Sequence, residues 1–449
     1  MEEREPREGL LLSLLRIGRI SPRVGGLTSA LAVVGLAAFA SPAFAAFSAP
    51  VDLQTGTARD SQVATDPTGD SAITWEFGAA NDRVQARTMS SAGVLGPVHE
   101  LGTTSGNQDG EPEVAIDGQG DSVFVWRRIT SGSEGVFARR LSAGGNLSSA
   151  FVVNQFTQSA SPPEVASDAN GDTVFTWVTF EGFTSPRVQA RTMTSAGGLG
   201  KLRNVSPSGQ IGSDPQVATD SSGDSVITWV REDGIDGDGD IVQARTMSVN
   251  GSLGPIMDLS APGGRALAPQ VATDPDGDTI FTWLRNNGRR DLVQARTMTA
   301  GGTLGATVNI TTSGPSAQAP QVATDATGDS LLAWERFEGG FDRAQARTMN
   351  AAGALGAITN ASTPGGDAGA PQVASASSGA SVLTWTRFDG TNDRVQARPV
   401  SAAGAFGSTS SPSAAGADAE APQVAMAANS GAAVVTWTRA GAVQASRGP

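Results

Sequence analysis

An all-β chain folded as an eight-bladed β-propeller, with four-stranded antiparallel blades, is predicted by three observations in the 449-residue sequence. First, one phrase recurs eight times and ends each time in tryptophan, at Trp75, Trp126, Trp177, Trp229, Trp283, Trp334, Trp385 and Trp437, with spacings of 51, 51, 52, 54, 51, 51 and 52 residues. Second, each copy carries four short strand signals and no helical periodicity, the mark of a supersecondary unit that stacks on its neighbours. Third, the two ends complement each other. Ala46–Leu53 reads as a fourth strand with no other three before it, and Ala442–Ser446 as a third strand with no fourth after it. Their pairing completes the eighth blade and closes the ring without a free sheet edge.

The N-terminal element precedes the repeats. Five arginines lie before an uncharged stretch between Arg23 and Asp52, whose core Leu27–Ala40 is apolar. Ser41-Pro42-Ala43-Phe44-Ala45 then places small residues at the −3 and −1 positions of a cleavage site. This pattern predicts an export signal over residues 1–45 and a single propeller domain over residues 46–449. A secreted or cell-surface protein with no membrane span after cleavage is the corresponding expectation.

Within a repeat, strand a is Gln62–Thr65, strand b Ser71–Trp75, strand c Arg83–Met89 and strand d Pro97–Leu101. The a–b link Asp66-x-x-Gly69-Asp70 and the c–d link around Ala92-Gly93 are tight turns in which glycine supplies positive φ. Strand b is apolar on both faces, as in Val123-Phe124-Val125-Trp126. A strand of that kind is covered on both sides, so the sheets stack on one another.

Composition removes several chemistries. There is no cysteine and no tyrosine, and His99 is the only histidine. Thiolate nucleophiles, disulfides, cysteine or multi-histidine metal sites and a tyrosine nucleophile are excluded. The formal charge is −13, and removing residues 1–45, with five Arg against four Glu, leaves −14. Such a surface repels phosphate backbones, so nucleic acid is not an expected partner; a monomer is expected.

The phrase Pro-Gln-Val-Ala-x-Asp-x-x-Gly-Asp, four residues, Trp, then Val-Gln-Ala-Arg resembles secreted bacterial β-propeller repeats over residues 46–449. That resemblance implies a ring with a central channel and no fixed activity, because propellers host enzymes, lectins and scaffolds alike. Quinoprotein docking motifs, sialidase Asp-boxes and WD repeats differ in their glycine-to-tryptophan gap or need residues that this chain lacks.

Among the repeated residues, the turn aspartates (Asp66 to Asp325, becoming Ala376 and Ala427) read as caps of their own turns more than as calcium ligands. The recurring Arg87 to Arg398 is expected to pair with a turn aspartate, and the eight tryptophans to form core between blades. Function then belongs where the copies differ. The b–c and d–a links vary and emerge on one face, whereas a–b and c–d are short and nearly invariant. On the variable face, Asp233, Asp236, Asp238 and Asp240 have calcium-loop spacing, but Ile241 stands where the turn glycine belongs and no closing Glu follows. No other cofactor is expected. Phe77, Phe180, Phe183, Phe337, Phe341 and Phe388, beside Arg336 and Arg387, are candidate ligand contacts, because exposed aromatics next to charges suit sugar or peptide binding. No catalytic residue stands out. The expectation is a non-catalytic extracellular binding module for a glycan or protein ligand. The alternatives are a glycoside hydrolase or lyase using channel carboxylates, and a purely structural cell-surface protein.

Overall fold

The structure is a computed structural model that describes residues 46–448 except 79–81, 103–106, 131–132, 156–158, 181–185, 233–238 and 313. The chain divides after Ser41 into two units, of which the first lies outside the described residues. In the second unit, strands form eight antiparallel sheets, and no helix occurs among the described residues. The sheets are the blades of an eight-bladed propeller. In blade 1, strands a to d are Ala58–Thr65, Ser71–Phe77, Arg83–Met89 and Leu95–Glu100, paired in that order.

Two blades depart from the pattern for local reasons. In blade 7 only Ala368–Ser375, Ser381–Phe388 and Asp393–Val400 form a ladder, and the fourth segment joins through bridges Ala397–Ser410 and Val400–Phe406. That segment, Gly404-Ala-Phe-Gly-Ser-Thr-Ser-Ser411, is too poor in branched and aromatic residues to sustain a strand. In blade 8 the fourth strand is Val51–Gln54, which pairs with Ala442–Arg447 through Val51↔Ala445 and Asp52↔Gln444. Leu53 is buried there, and the Gln444 amide donates to Asp52 at 2.7 Å. The ring closes as the chain ends imply.

Packing between blades explains the tryptophan period. Trp126 of blade 2 packs with Ala72, Val84 and Ala86 of blade 1. Trp75 of blade 1 packs with Val434, Val443 and Ala445 of blade 8. All eight indoles are fully buried. Truncating one such core aromatic to alanine costs about 3–5 kcal/mol.

The turn aspartates cap their own backbone. Asp66 Oδ1 accepts from the N–H groups of Thr68, Gly69 and Asp70 at 2.8–3.0 Å. The second aspartate locks the other turn, Asp70 Oδ1 accepting from Ser91 N at 2.6 Å. The repeated arginine does not pair with these aspartates. Arg87 instead donates Nε to Gly96 O at 2.6 Å and Nη1 to Leu53 O at 3.0 Å, and Arg191, Arg245 and Arg347 repeat both contacts. The aspartates are already saturated by N–H donors, whereas carbonyls at strand ends lack partners. The arginine therefore ties each blade to its neighbour through backbone oxygens.

Strand a starts four residues earlier than the sequence pattern indicates, because it contains a bulge. The bulge residue sits at left-handed φ in seven blades: Asp60, Glu111, Asp214, Ala268, Ala319, Ala370 and Ala421. In blade 3 the equivalent residue is Pro162, whose ring holds φ negative. There strand a splits into Ser159–Ala160 and Glu164–Ser167.

Candidate site at the channel mouth

The eight a strands are the innermost elements, each meeting the a strands of both neighbouring blades. Two residues after each bulge, one position repeats around this inner wall: Gln62, Glu113, Glu164, Gln216, Gln270, Gln321, Gln372 and Gln423. Residues 51 or more apart in sequence thereby become neighbours. Gln62 donates to Glu113 at 2.7 Å, and Gln216 donates to Glu164 at 3.0 Å. The two glutamates are thus flanked by amide donors on their outer sides and face each other between blades 2 and 3.

The electrostatics of this pair follow from that placement. The channel keeps both side chains partly in contact with solvent, while protein surrounds them elsewhere. Burial pushes the Glu113 carboxyl well above the usual carboxylate range, and the charge of Glu164 adds to this. Burial also lifts Glu164, to about 7, against the opposing hydrogen bond from Gln216.

The bulge position breaks the ring's symmetry in the same direction. It is acidic in blades 1, 2 and 4, as Asp60, Glu111 and Asp214, and alanine in blades 5 to 8. In blades 1 and 2 an arginine accompanies the acidic bulge residue: Arg59 lies 3.5 Å from Asp60 and also contacts Glu76 at 2.7 Å and Asp82 at 2.9 Å, and Arg127 donates to Glu111 at 2.9 Å. A buried ion pair, Arg128 with Asp109, lies behind them, Arg128 Nη2 donating to Asp109 Oδ2 at 2.9 Å. Among the described residues, Asp214 of blade 4 has no such partner.

A cavity of about 790 Å³ opens there, where blades 3, 4 and 5 meet the channel on the face of the b–c and d–a links. Its apolar wall includes Phe180, Val178, Ile211 and the prolines 162, 215 and 269. Its polar wall includes Glu164, Asp214, Glu232, Gln216 and Gln270. Burial raises the Asp214 carboxyl, with the charge of Glu232 as the second cause. Two other cavities, of about 340 Å³ each, lie on the opposite face between blades 6 and 7 and between blades 4 and 5. Both are lined by repeated turn residues such as Asp325 and Asp220, so they are grooves that the repeat itself makes.

The sequence-predicted contacts fall in several places. Phe180, 40% exposed, stands on the cavity wall. Phe337 and Phe341 are exposed on the b–c hairpin of blade 6, and Phe388 ends strand b of blade 7. Phe77 instead packs against the blade 1–blade 8 core under the Arg83 guanidinium. Arg336 is buried and donates to Pro315 O and Thr312 O; Arg387 donates to Thr363 O and Pro364 O. Both guanidiniums hold the d–a link of their own blade. Asp240 is buried, its carbonyl accepting from Ala266 N at 2.9 Å. Phe183, Asp233, Asp236 and Asp238 lie outside the described residues. Among the described residues no group of three or more metal-ligating side chains occurs.

Sequence reading missed Glu113, Glu164 and the acidic bulge residues. The signal was present: Pro-Gln-Val becomes Pro112-Glu113-Val114 and Pro163-Glu164-Val165 in two repeats of eight.

No protein-family model and no curated protein matches the chain. Among solved structures, the BP39L lectin from Burkholderia pseudomallei is similar with a TM-score of 0.53 at 13% identity, over 80% of this chain and 100% of that one. The β-propeller domain of the Trilobed protease from Pyrococcus furiosus gives a TM-score of 0.48 at 8% identity, covering 80% of this chain and 99% of that one. An ulvan lyase of polysaccharide lyase family 25 gives a TM-score of 0.48 at 7% identity, covering 80% and 96%. Among the described residues no helix is long and apolar enough to cross a membrane. At 13% identity the likeness to the lectin is one of fold alone.

Proposed function

We propose that the protein is an exported, non-catalytic binding module whose ligand is a glycan, taken at the channel mouth between blades 3, 4 and 5. One observation carries this reading. The 790 Å³ cavity lies on the one face where the repeats differ, with the exposed ring of Phe180 opposite carboxylates and amides. A flat apolar ring facing hydrogen-bonding groups suits a pyranose, whose C–H face is apolar and whose hydroxyls need partners, and the cavity falls within the usual range for ligand sites. The exposed Phe337, Phe341 and Phe388 on blades 6 and 7 would extend the contact surface along the same face. Calcium at Asp233–Asp240 remains part of the proposal and is tested by the same assay. A broad glycan array probed with the protein, in calcium-containing buffer and after chelation, should give saturable binding that Phe180→Ala abolishes. A blank array with a folded protein would refute the glycan reading.

A second reading has its own observation. Glu164, with a carboxyl lifted to about 7, shares the cavity with Asp214 and Glu232, an arrangement that could serve a glycoside hydrolase or lyase. Polysaccharide turnover lost in Glu164→Gln would establish it.

A further inference from the structure

Among the described residues, the charge of the cavity has no counterpart. Of its lining residues, Glu164, Asp214 and Glu232 are acidic, and none is Arg, Lys or His. No described cation forms an ion pair with any of these three, unlike Glu76 in blade 1 and Glu111 in blade 2. The residues after 45 that lie outside the description contain no Arg, Lys or His either, so none of them supplies a partner. Like charges gathered in a concave site with apolar walls are costly unless a ligand balances them, and a cleft of one sign concentrates the opposite ion.

We propose, building on the glycan reading above, that the cavity recognises a sugar bearing a free primary amine, a glucosamine-type unit. Its ammonium would sit among Glu164, Asp214 and Glu232, with its ring against Phe180. The volume decides between this and a basic side chain. A single lysine or arginine stem fills only a small part of a cavity of about 790 Å³, whereas a sugar of two or more units occupies it and uses the hydroxyl partners Ser161, Ser213 and Gln270 on its walls. Charge places the amine toward blades 3 and 4. The bulge residue of blade 5 is Ala268, so the far wall offers no carboxylate. The raised proton affinity of Glu164 and Asp214 fits the same picture, because an arriving ammonium would stabilise their charged forms and release protons.

Isothermal titration of the full chain with a glucosamine tetrasaccharide and with its fully N-acetylated counterpart tests this. The amine form is expected to bind at least tenfold more tightly, with an affinity that falls as salt rises and a heat that depends on the buffer's ionisation enthalpy. Asp214→Asn, chosen because asparagine tolerates left-handed φ, and Glu232→Gln should each weaken the amine form three- to tenfold. The acetylated form should lose less, so each variant narrows the preference for the amine. Circular dichroism confirms that each variant folds. Equal binding of both sugars would overturn the amine proposal and leave the glycan reading standing. Binding of a lysine-rich peptide but of neither sugar, lost in Asp214→Asn, would overturn the sugar as ligand while keeping the charge. No binding to these sugars or to any glycan on the array would overturn both.

Discussion

Replacing Glu113 and Glu164 by glutamine, the residue at this place in the other six blades, is expected to stabilise the protein at neutral pH and leave it unchanged in acid. The folded state holds a proton on Glu164 up to about pH 7, against 4.5 as the ordinary value. The unfolded chain releases that proton at the lower pH. Stability linked to Glu164 is therefore fully present below about pH 4.5, declines as pH rises through the interval, and is lost above about 7. Glu113, also raised, adds in the same direction. At about 1.36 kcal/mol per pH unit, the loss at neutral pH is about 3 kcal/mol, and solvent in the channel makes this an upper figure. For a unit the size of residues 42–449, roughly 2.1 cal/mol/K of unfolding entropy per residue converts it to about 3–4 °C in Tm. Glu76 and Glu335, also raised by burial, slope the same way and cancel when variant and parent are compared at each pH. Thermal melts of the parent, Glu113→Gln, Glu164→Gln and the double variant from pH 4 to 8 supply the assay. Parent and double variant should coincide at the acid end and separate toward neutrality. Parallel curves, or a double variant less stable at every pH, would refute the reasoning.

Two structural predictions accompany it. Asp109→Ala should cost about 3–5 kcal/mol by leaving the Arg128 guanidinium buried without its partner, and Asp109→Ala combined with Arg128→Met should recover most of that in denaturant titrations. Deleting the closing strand through Gln54 should bare the edge of Ala442–Arg447 and remove Leu53 from the blade 1–blade 8 core, giving a lower Tm and concentration-dependent association by light scattering.

The scaffold was legible because it is repeated. Eight tryptophans in register, two glycine turns and matching partial strands at the ends are redundant signals, and each reports the same local geometry. The site was not legible, for a physical reason. Gln to Glu exchanges an amide for a carboxyl of the same shape, so Glu113 and Glu164 leave hydropathy and strand pattern untouched. Their meaning appears only when the ring makes neighbours of positions about 51 residues apart. The latch arginines were misassigned for a related reason, since their partners Gly96 O and Leu53 O are backbone atoms that every sequence possesses. The variable loops point to Phe180, which lines the cavity, and not to the strand beneath it.

The distribution of departures from the repeat is itself a functional argument. A symmetric ring gives each ligand group eight equivalent positions, and one orientation is favoured only where the copies differ. Here the differences cluster: acidic bulges in blades 1, 2 and 4, glutamates in blades 2 and 3, and a proline that splits strand a in blade 3. The acidic bulges of blades 1 and 2 have Arg59 and Arg127 beside them, whereas Glu164, Asp214 and Glu232 of blades 3 and 4 face the cavity without an arginine among the described residues. Selection for stability alone would favour glutamine and alanine at these places, as blades 5 to 8 carry. Acids kept at a cost of a few kcal/mol, on the one face with variable links, are best explained by a ligand that balances their charge.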